Sequence, residues 1–175
     1  MDKLSAFSSE AFNFKGLVAQ NEFPNANHVH DLILNRLENV DASLSEAAFY
    51  HFETPGKMLR AKMAIQSASL AEIDTSISLL WAAAVEVLHN ASLIHDDICD
   101  GDKQRRGRSS IWVKFGQDTA LTLGDWLIAL SFELASEAAE MSNTPRLVGI
   151  LARHMATTTA GQAMEFRWDS TQSWD

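Results

Sequence analysis

The sequence predicts an all-α protein, a bundle of antiparallel helices in one domain. Glycine and proline, which interrupt helices, number only 8 and 3 among 175 residues. Several segments repeat apolar residues at the spacing of one helix face, and none alternates for long at the period of a strand. Hydrophobic residues make up 46% of the chain, which allows a packed core. Composition and periodicity together favour a helical bundle over residues 1–175.

The first part of the chain contains a lead-in and three helical segments. Residues 1–26 are predicted to be a loosely ordered lead-in or a short first helix. A helix over 27–40 places four apolar residues on one face: Val29, Leu32, Ile33 and Leu37. A shorter helix over 45–52 ends at a Thr-Pro-Gly break, and residues 57–71 resume as a helix.

The most apolar helix is predicted over residues 74–100, with Asp74 as its N-cap. Its middle is apolar nearly all round and rich in small residues, which is typical of a helix buried inside a larger bundle. A polar loop follows over 101–110.

Two further helices complete the prediction. Residues 117–140 form a long, mostly apolar helix. Asn143, Thr144 and Pro145 are expected to cap and begin a last helix that reaches the mid-160s. The final segment, 167–175, has neither a helix nor a strand pattern.

Charge and composition exclude several classes of function. The net charge is −9, whereas a nucleic-acid-binding protein normally carries a basic face. The single cysteine, Cys99, cannot form an internal disulfide, and the N-terminus lacks a secretory pattern. No run approaches the ~20 apolar residues of a membrane span. We therefore expect a cytoplasmic protein with no nucleic-acid partner and no membrane span.

Three carboxylates, Asp96, Asp97 and Asp100, lie at the end of the most apolar helix. Spacings of three and four residues bring neighbouring side chains together on a helix. The same helix end carries the negative pole of the helix dipole, where anions are disfavoured. A hard divalent cation such as Mg²⁺, which takes oxygen ligands and is often shared with phosphates, would compensate this charge.

The polar loop that follows supplies positive charge. Four basic residues fall within six positions: Lys103, Arg105, Arg106 and Arg108. The planar guanidinium group suits phosphate oxygens. Acidic residues for a metal, followed closely by basic residues for a phosphate, are the layout of a metal–diphosphate site. The alternative is a solvated surface, which the buried character of the preceding helix disfavours.

Residues 88–112 closely resemble the first aspartate-rich region of trans-isoprenyl diphosphate synthases, in which a helix ends in DDxxD before a loop with RRG. Three shorter segments resemble further family motifs in the family's order: 56–60 its GKRLRP segment, 123–127 its GD-containing helix and 161–165 its GQxxD segment. The resemblance implies an all-α bundle of the isoprenoid synthase type.

The resemblance also implies the site residues. Three aspartates would hold Mg²⁺ bridging to an allylic diphosphate, and these are Asp96, Asp97 and Asp100. Arg105 would contact the allylic diphosphate, and Gln162 would lie near the reacting allylic group. Four residues would bind the diphosphate of isopentenyl diphosphate: Lys57, Arg60, His89 and Arg106. His89 lies two helical turns before Asp96, on the same stripe.

The implied reaction is Mg²⁺-assisted ionisation of the allylic diphosphate, attack by the double bond of isopentenyl diphosphate and loss of a proton. The apolar helices would form a dry well that protects the carbocation from water. Ala91 and Ser92, just before the aspartates, are small, which would permit a product longer than fifteen carbons.

Several departures from the family point to an incomplete bundle. Family members have about twice this length and a second aspartate-rich motif, which the residues after Glu165 lack. The chain would thus be a fragment, one half completed by a second chain, or a reduced relative that binds diphosphates without turnover. Family members are usually dimers, so the resemblance also implies a homodimer.

Competing interpretations each leave residues unexplained. His95 and Asp96 match the HD pair of metal-dependent phosphohydrolases, but the further ligands of that class and a role for RRG are missing. Glu86 and His89 match one ExxH of a di-iron bundle, but no second ExxH occurs. A terpene cyclase of the same fold would have little use for the cations of a second diphosphate site. A non-catalytic subunit is the remaining alternative.

Overall fold

The computed structural model describes residues 23–169, and their side chains up to Glu165. Within this range the chain forms a helical bundle with one short hairpin. The elements are α1 Ala26–Leu37, α2 Ala42–Phe52, α3 Leu59–Leu70, α4 Thr75–Cys99, β1 Gln104–Arg105, β2 Arg108–Ser109, α5 Ile111–Phe115, α6 Gln117–Met141 and α7 Arg146–Asp169. The all-α prediction is confirmed.

The centre of the bundle is the pair of long helices α4 and α6, each of 25 residues. The end of α4 lies beside the beginning of α6, since the ring of His95 reaches the carbonyl of Leu121 at 3.3 Å. α1 and α3 pack against α4, while α2, α5 and α7 pack against α6. Small residues such as Ala83 and Ala135, both fully buried, let the helices approach closely.

Local sequence signals explain how several helices begin. The carboxylate of Asp74 accepts a hydrogen bond from Ser76 N at 2.8 Å, which confirms the predicted N-cap of α4. Asn25 caps α1 with a reciprocal bond to His28. The predicted apolar face of α1 is fully buried at Val29, Leu32, Ile33 and Leu37. Asp41 begins α2 three residues earlier than expected.

The predicted polar loop is an ordered hairpin. Arg106 and Gly107 form its two-residue turn, and both have positive φ (54° and 76°), the pattern of a type I′ turn. The hairpin is fastened to α2, because the hydroxyl of Tyr50 donates to the carbonyl of Ser109 at 3.1 Å. Arg108 also pairs with Glu53 at 2.7 Å. These contacts hold the arginines of the turn in fixed positions.

Further boundaries differ from the sequence-based expectation, in addition to the earlier start of α2. Helix α3 begins at Leu59 and not at residue 57, because Met58 has a left-handed backbone (φ 47°). Helix α7 begins at Arg146, just after the expected cap, and continues to Asp169. The expectation that residues 167–169 lack helical structure was therefore wrong. Helix α5 was not predicted, because five residues are too few to show periodicity.

Among the described residues, one helix has the length and composition of a membrane span. It is α4, and 61% of its most apolar window is buried inside the bundle. The expectation that no segment reaches that length and apolarity was therefore wrong for α4. Packing against the neighbouring helices accounts for its composition, as for the core helix of a bundle. Residues 1–22 and 170–175 lie outside the described range, and the single domain over 1–175 stays a prediction.

Candidate functional site

The last four turns or so of α4, residues 86–100, carry two neighbouring stripes of polar side chains. We define the inner stripe as Glu86, Asn90 and Asp97, which are only 4%, 3% and 2% exposed. We define the outer stripe as His89, Asp96 and Asp100, which are half-buried or exposed. Spacings of four, seven and eleven residues keep each stripe on one face of the helix.

Asp97 of the inner stripe forms an ion pair with the hairpin. Its Oδ1 atom accepts from Arg105 Nε at 2.7 Å and lies 2.5 Å from Arg105 Nη2. Burial raises the pKa of the Asp97 carboxyl group, while the bond to Arg105 acts in the opposite direction. The same bond raises the pKa of Arg105. Charge-assisted contacts of this kind fix both side chains.

The side chain of Arg106 extends from the hairpin turn into the space between α2 and α4. Its Nη1 atom donates to the carbonyl of Thr54 at 2.7 Å, and Nη2 donates to Asn90 Oδ1 at 3.1 Å. A Cβ atom built on Gly56 would lie 3.1 Å from Arg106 Nη2, so a side chain at position 56 would crowd the guanidinium group. Burial lowers the pKa of Arg106, and the neighbouring Arg105 charge lowers it further.

Asn90 connects Arg106 to a buried histidine. Its Nδ2 atom donates to the carbonyl of Glu86 at 2.8 Å, one helical turn back. Its Oδ1 atom faces His51 Nε2 at 2.9 Å. Burial lowers the pKa of His51 to about 4, although the bond to Asn90 raises it slightly. His51 is therefore neutral near pH 7.

His89 of the outer stripe lies in a field of positive charge. Burial, together with the charges of Arg60, Arg106 and Arg105, lowers the pKa of His89 to about 4. A partly accessible histidine that burial and surrounding arginines keep neutral marks a place where an anion would be stabilised. We call Arg60, His89 and Arg106 the cationic cluster.

The carboxylate of Asp96 accepts a hydrogen bond from a residue on another helix of the bundle. Gln162 on α7 donates from Nε2 to Asp96 Oδ1 at 2.6 Å. The two residues are far apart in sequence, yet the family resemblance predicted that they face the same site. Asp100 is the C-cap of α4 and keeps helical backbone angles (φ −87°, ψ −9°), so it stays one turn beyond Asp96.

The donor atoms suit a hard cation shared with a ligand. Asp96 and Asp100 offer carboxylate oxygens on one helix face, whereas Asp97 is committed to Arg105. Among the described residues, no three acidic, histidine or cysteine side chains are grouped to enclose a metal ion. Mg²⁺ commonly binds one or two carboxylates and completes its shell with water and phosphate oxygens. The residues present fit that kind of open site.

Most of the predicted site residues lie together at this end of the bundle. Lys57 is exposed in the segment before α3, and its ammonium group forms no hydrogen bond or ion pair with another side chain of the described residues. Arg60 is exposed on the first turn of α3. The ring of His95, next to Asp96 in the sequence, packs against α6, with Nε2 3.7 Å from Asp125 Oδ1.

Four residues of the site were not predicted from the sequence: His51, Thr54, Glu86 and Asn90. One signal for them existed. Glu86 and Asn90 interrupt the most apolar stretch of the chain at the spacing that continues to Asp97. A polar stripe on a buried helix requires partners. His51 and Thr54 carried no such signal, because their contacts depend on how α2 packs.

Comparison with known proteins agrees with the geometry. The family model described as Polyprenyl synthetase matches residues 41–175. The geranylgeranyl diphosphate synthase of Saccharolobus solfataricus is 36% identical over 147 residues, which cover 82% of this chain and 44% of that protein. The chain thus spans less than half the length of this relative.

Solved structures give the same result. The geranylgeranyl pyrophosphate synthetase of the archaeon Geoglobus acetivorans matches with a TM-score of 0.76 and 32% identity, over 84% of this chain and 49% of that one. A polyprenyl synthase from Caulobacter crescentus, solved with calcium and isoprenyl diphosphate, matches with a TM-score of 0.73 and 33% identity, over 80% and 42%. Sequence and fold agree, and the chain belongs to the polyprenyl synthetase family.

Proposed function

We propose that this chain is the front part of a trans-prenyltransferase that condenses an allylic diphosphate with isopentenyl diphosphate in a Mg²⁺-dependent reaction. The observation that carries the proposal is that Asp96 and Asp100 share the outer stripe of α4 with His89, around which Arg60, Arg105 and Arg106 supply positive charge. Carboxylates and a positively charged region on the same helix face suit a ligand that brings both a metal ion and phosphate groups.

Each residue has a role in this proposal. Asp96 and Asp100 hold Mg²⁺, which when bound makes the allylic diphosphate a better leaving group. Asp97 acts differently from its neighbours, because it holds Arg105 in place near the allylic diphosphate. Gln162 fixes Asp96 and faces the reacting allylic group.

The second diphosphate is assigned to the cationic cluster and Lys57. Arg106 is already positioned by Thr54 and Asn90, whereas Arg60 and Lys57 are exposed and can approach a ligand. His89 is neutral in the free protein, so it accepts a proton when a diphosphate lowers the local positive potential.

The length of the product follows from residues that precede the aspartates. Ala91 is fully buried and Ser92 is half-buried, with its hydroxyl group donating to the carbonyl of His89 at 2.8 Å. Ser92 is thus the more accessible of the two small residues. We propose that its small size leaves room for a chain of more than fifteen carbons.

A second candidate function is that of a subunit that binds diphosphates without turnover. Most of α7 after Leu151 is exposed, including Met164 at 70%. The matched part of the S. solfataricus relative is 44% of its length, so more than half of that protein has no counterpart here.

For the prenyltransferase, we propose that a second copy, or a second chain that supplies the other half, covers α7 in the working enzyme. We also propose that this enzyme acts in the cytoplasm.

Two measurements test the proposal. Isothermal titration calorimetry with pyrophosphate is expected to show binding with Mg²⁺ and little binding with EDTA, and absence of Mg²⁺-dependent binding would contradict both candidate functions. Incubation with labelled isopentenyl diphosphate and an allylic diphosphate then separates them. Elongated product supports the prenyltransferase, and binding without product supports the subunit.

A further inference from the structure

Three neighbouring residues fix the position of the guanidinium group of Arg106. The carbonyl of Thr54, near the end of α2, accepts from Nη1 at 2.7 Å, and Asn90 Oδ1 on α4 accepts from Nη2 at 3.1 Å. Gly56 lies against the guanidinium group, where a side chain would come within 3.1 Å. Thr54 and Gly56 contribute backbone only, so Asn90 is the side chain among these three that mutation can remove cleanly.

The orientation of the Asn90 amide follows from its own contacts. Nδ2 donates to the carbonyl of Glu86 at 2.8 Å, so Oδ1 is the end that faces Arg106 and His51. An amide oxygen can only accept hydrogen bonds, so His51 Nε2, at 2.9 Å, is the protonated ring nitrogen. Asn90 is 3% exposed, so bulk water cannot replace it readily.

We propose that Asn90, supported by His51, is a positioning residue for Arg106. It does not touch the ligand; it holds the arginine in the orientation that the diphosphate meets. Arginine has many rotamers. Fixing one of them before the ligand binds means that the entropy cost of ordering the side chain no longer reduces the binding affinity. The effect on ligand affinity rests on the proposed function, whereas the effect on Arg106 itself does not.

A matched pair of variants tests this role. Asn90→Thr and Asn90→Val have nearly the same shape and differ in a hydroxyl group. The threonine hydroxyl can donate to the carbonyl of Glu86 one turn back and accept from Arg106, whereas valine leaves Arg106 and His51 without that acceptor. If these variants do not fold, Asn90→Ser and Asn90→Ala form an equivalent, smaller pair.

Two readouts are required. The first is the order of the Arg106 side chain in the free protein, from the relaxation of its Nε–H resonance by NMR, assigned with Arg106→Lys. The second is the affinity for pyrophosphate with Mg²⁺. Thermal unfolding of both variants shows whether a difference in overall stability accompanies either readout.

Asn90→Val is expected to release Arg106 and to weaken pyrophosphate binding by roughly tenfold, as for the loss of a bond to a charged group. Asn90→Thr is expected to keep Arg106 ordered and to stay within about threefold of the unchanged protein. An Arg106 as ordered with valine as with asparagine would overturn the inference, as would equal loss in both variants. If the unchanged protein bound no pyrophosphate, the proposed function would fail, and the NMR readout alone would still decide the role of Asn90.

Discussion

The inner and outer stripes of α4 lie side by side, but they differ in the contacts that they make with the rest of the protein. Each inner residue has a specific partner: the Glu86 carboxylate accepts from Ala61 N at 3.1 Å, Asn90 from Arg106, and Asp97 from Arg105. The outer residues are more accessible, and Gln162 is the side chain that bonds one of them within the described range. The inner stripe therefore organises the site, and the outer stripe is left to meet a ligand.

The largest expected effect comes from the outer stripe. The double variant Asp96→Asn and Asp100→Asn should weaken Mg²⁺-dependent pyrophosphate binding at least about hundredfold, because both carboxylates that are proposed to bind the metal are lost. Stability should change by no more than about 0.5 kcal/mol, since these side chains are not fully buried. Calorimetry and thermal unfolding measure the two quantities.

The control for this double variant is Asp125→Asn on α6, whose carboxylate is 77% exposed and outside both stripes. It should leave the affinity unchanged. If the double variant bound pyrophosphate as well as the Asp125 variant does, the outer stripe would have no role in binding.

The inner stripe should respond in the opposite way. Asp97→Ala leaves Arg105 without its partner, and removing one member of a buried pair is strongly destabilising. Because the Arg105 side chain is still 27% exposed and can regain water, we expect a loss of about 2–3 kcal/mol in the free energy of unfolding. Urea denaturation provides the measurement.

Asp102→Ala is the matched control, because Asp102 lies 3.8 Å from the same arginine and is 57% exposed. Its removal should cost less than about 0.5 kcal/mol. Equal losses for the two variants would show that burial of the stripe does not determine the strength of its contacts.

The two histidines of the site offer a comparison by pH. Both His89 and His51 have a pKa near 4 in the free protein. A bound diphosphate should raise the pKa of His89 by at least about one unit, since it neutralises the surrounding arginines. A higher pKa in the complex means that binding takes up a proton, so the contribution of His89 to affinity begins as pH falls through the pKa of the complex and is complete only below the free value of about 4.

The pKa of His51 should shift less than that of His89, because burial is the largest cause of its lowered pKa and the nearby arginines contribute less than its bond to Asn90. NMR titration of the histidine rings, with and without pyrophosphate and Mg²⁺, measures both. A shift of His51 that matched the shift of His89 would place both residues at the ligand and remove the distinction between the stripes.

The smallest expected effect concerns a third face of α4, which packs against α6. A Cβ atom on Gly124 would lie 2.1 Å from His95 Nε2, so Gly124→Ala must displace the imidazole ring. We expect a loss of about 1–2 kcal/mol in stability and no change in pyrophosphate affinity. Thermal unfolding and calorimetry test these expectations.

Gly161→Ala on α7 is its counterpart, because nothing lies within 4 Å of the added Cβ. That change should stabilise the protein by about 0.5–1 kcal/mol through better helix propensity. If both substitutions had the same sign, packing between α4 and α6 would not be the reason for Gly124.

The sequence predicted the helices well where periodicity was long. α4 and the apolar face of α1 follow from residues such as Asp74, Val29 and Leu37. The short elements were not predicted. Helix α5 has only five residues, too few to show a helical period. The hairpin depends on a positive φ at Arg106, which the sequence does not reveal.

The outer stripe was likewise predictable and the network behind it was not. Asp96, Asp100 and His89 belong to one recognisable segment of one helix. The partners of Arg106 come from α2 and α4, and only packing brings Thr54 and Asn90 to the same guanidinium group. Asp97 illustrates the same limit, because the resemblance implies a metal ligand at this position, whereas the sequence does not show that the carboxylate pairs with Arg105.

The left-handed backbone of Arg106 (φ 54°) favours glycine, whereas the proposed role of this position requires an arginine side chain. Glycine would adopt that conformation without the penalty of about 1 kcal/mol or more that an L side chain incurs. Replacing the arginine by glycine would, however, remove its hydrogen bonds to Thr54 and Asn90, together with the charge that is proposed to meet a diphosphate. Engineers who stabilise this chain should hold position 106 fixed and seek their gains on α7.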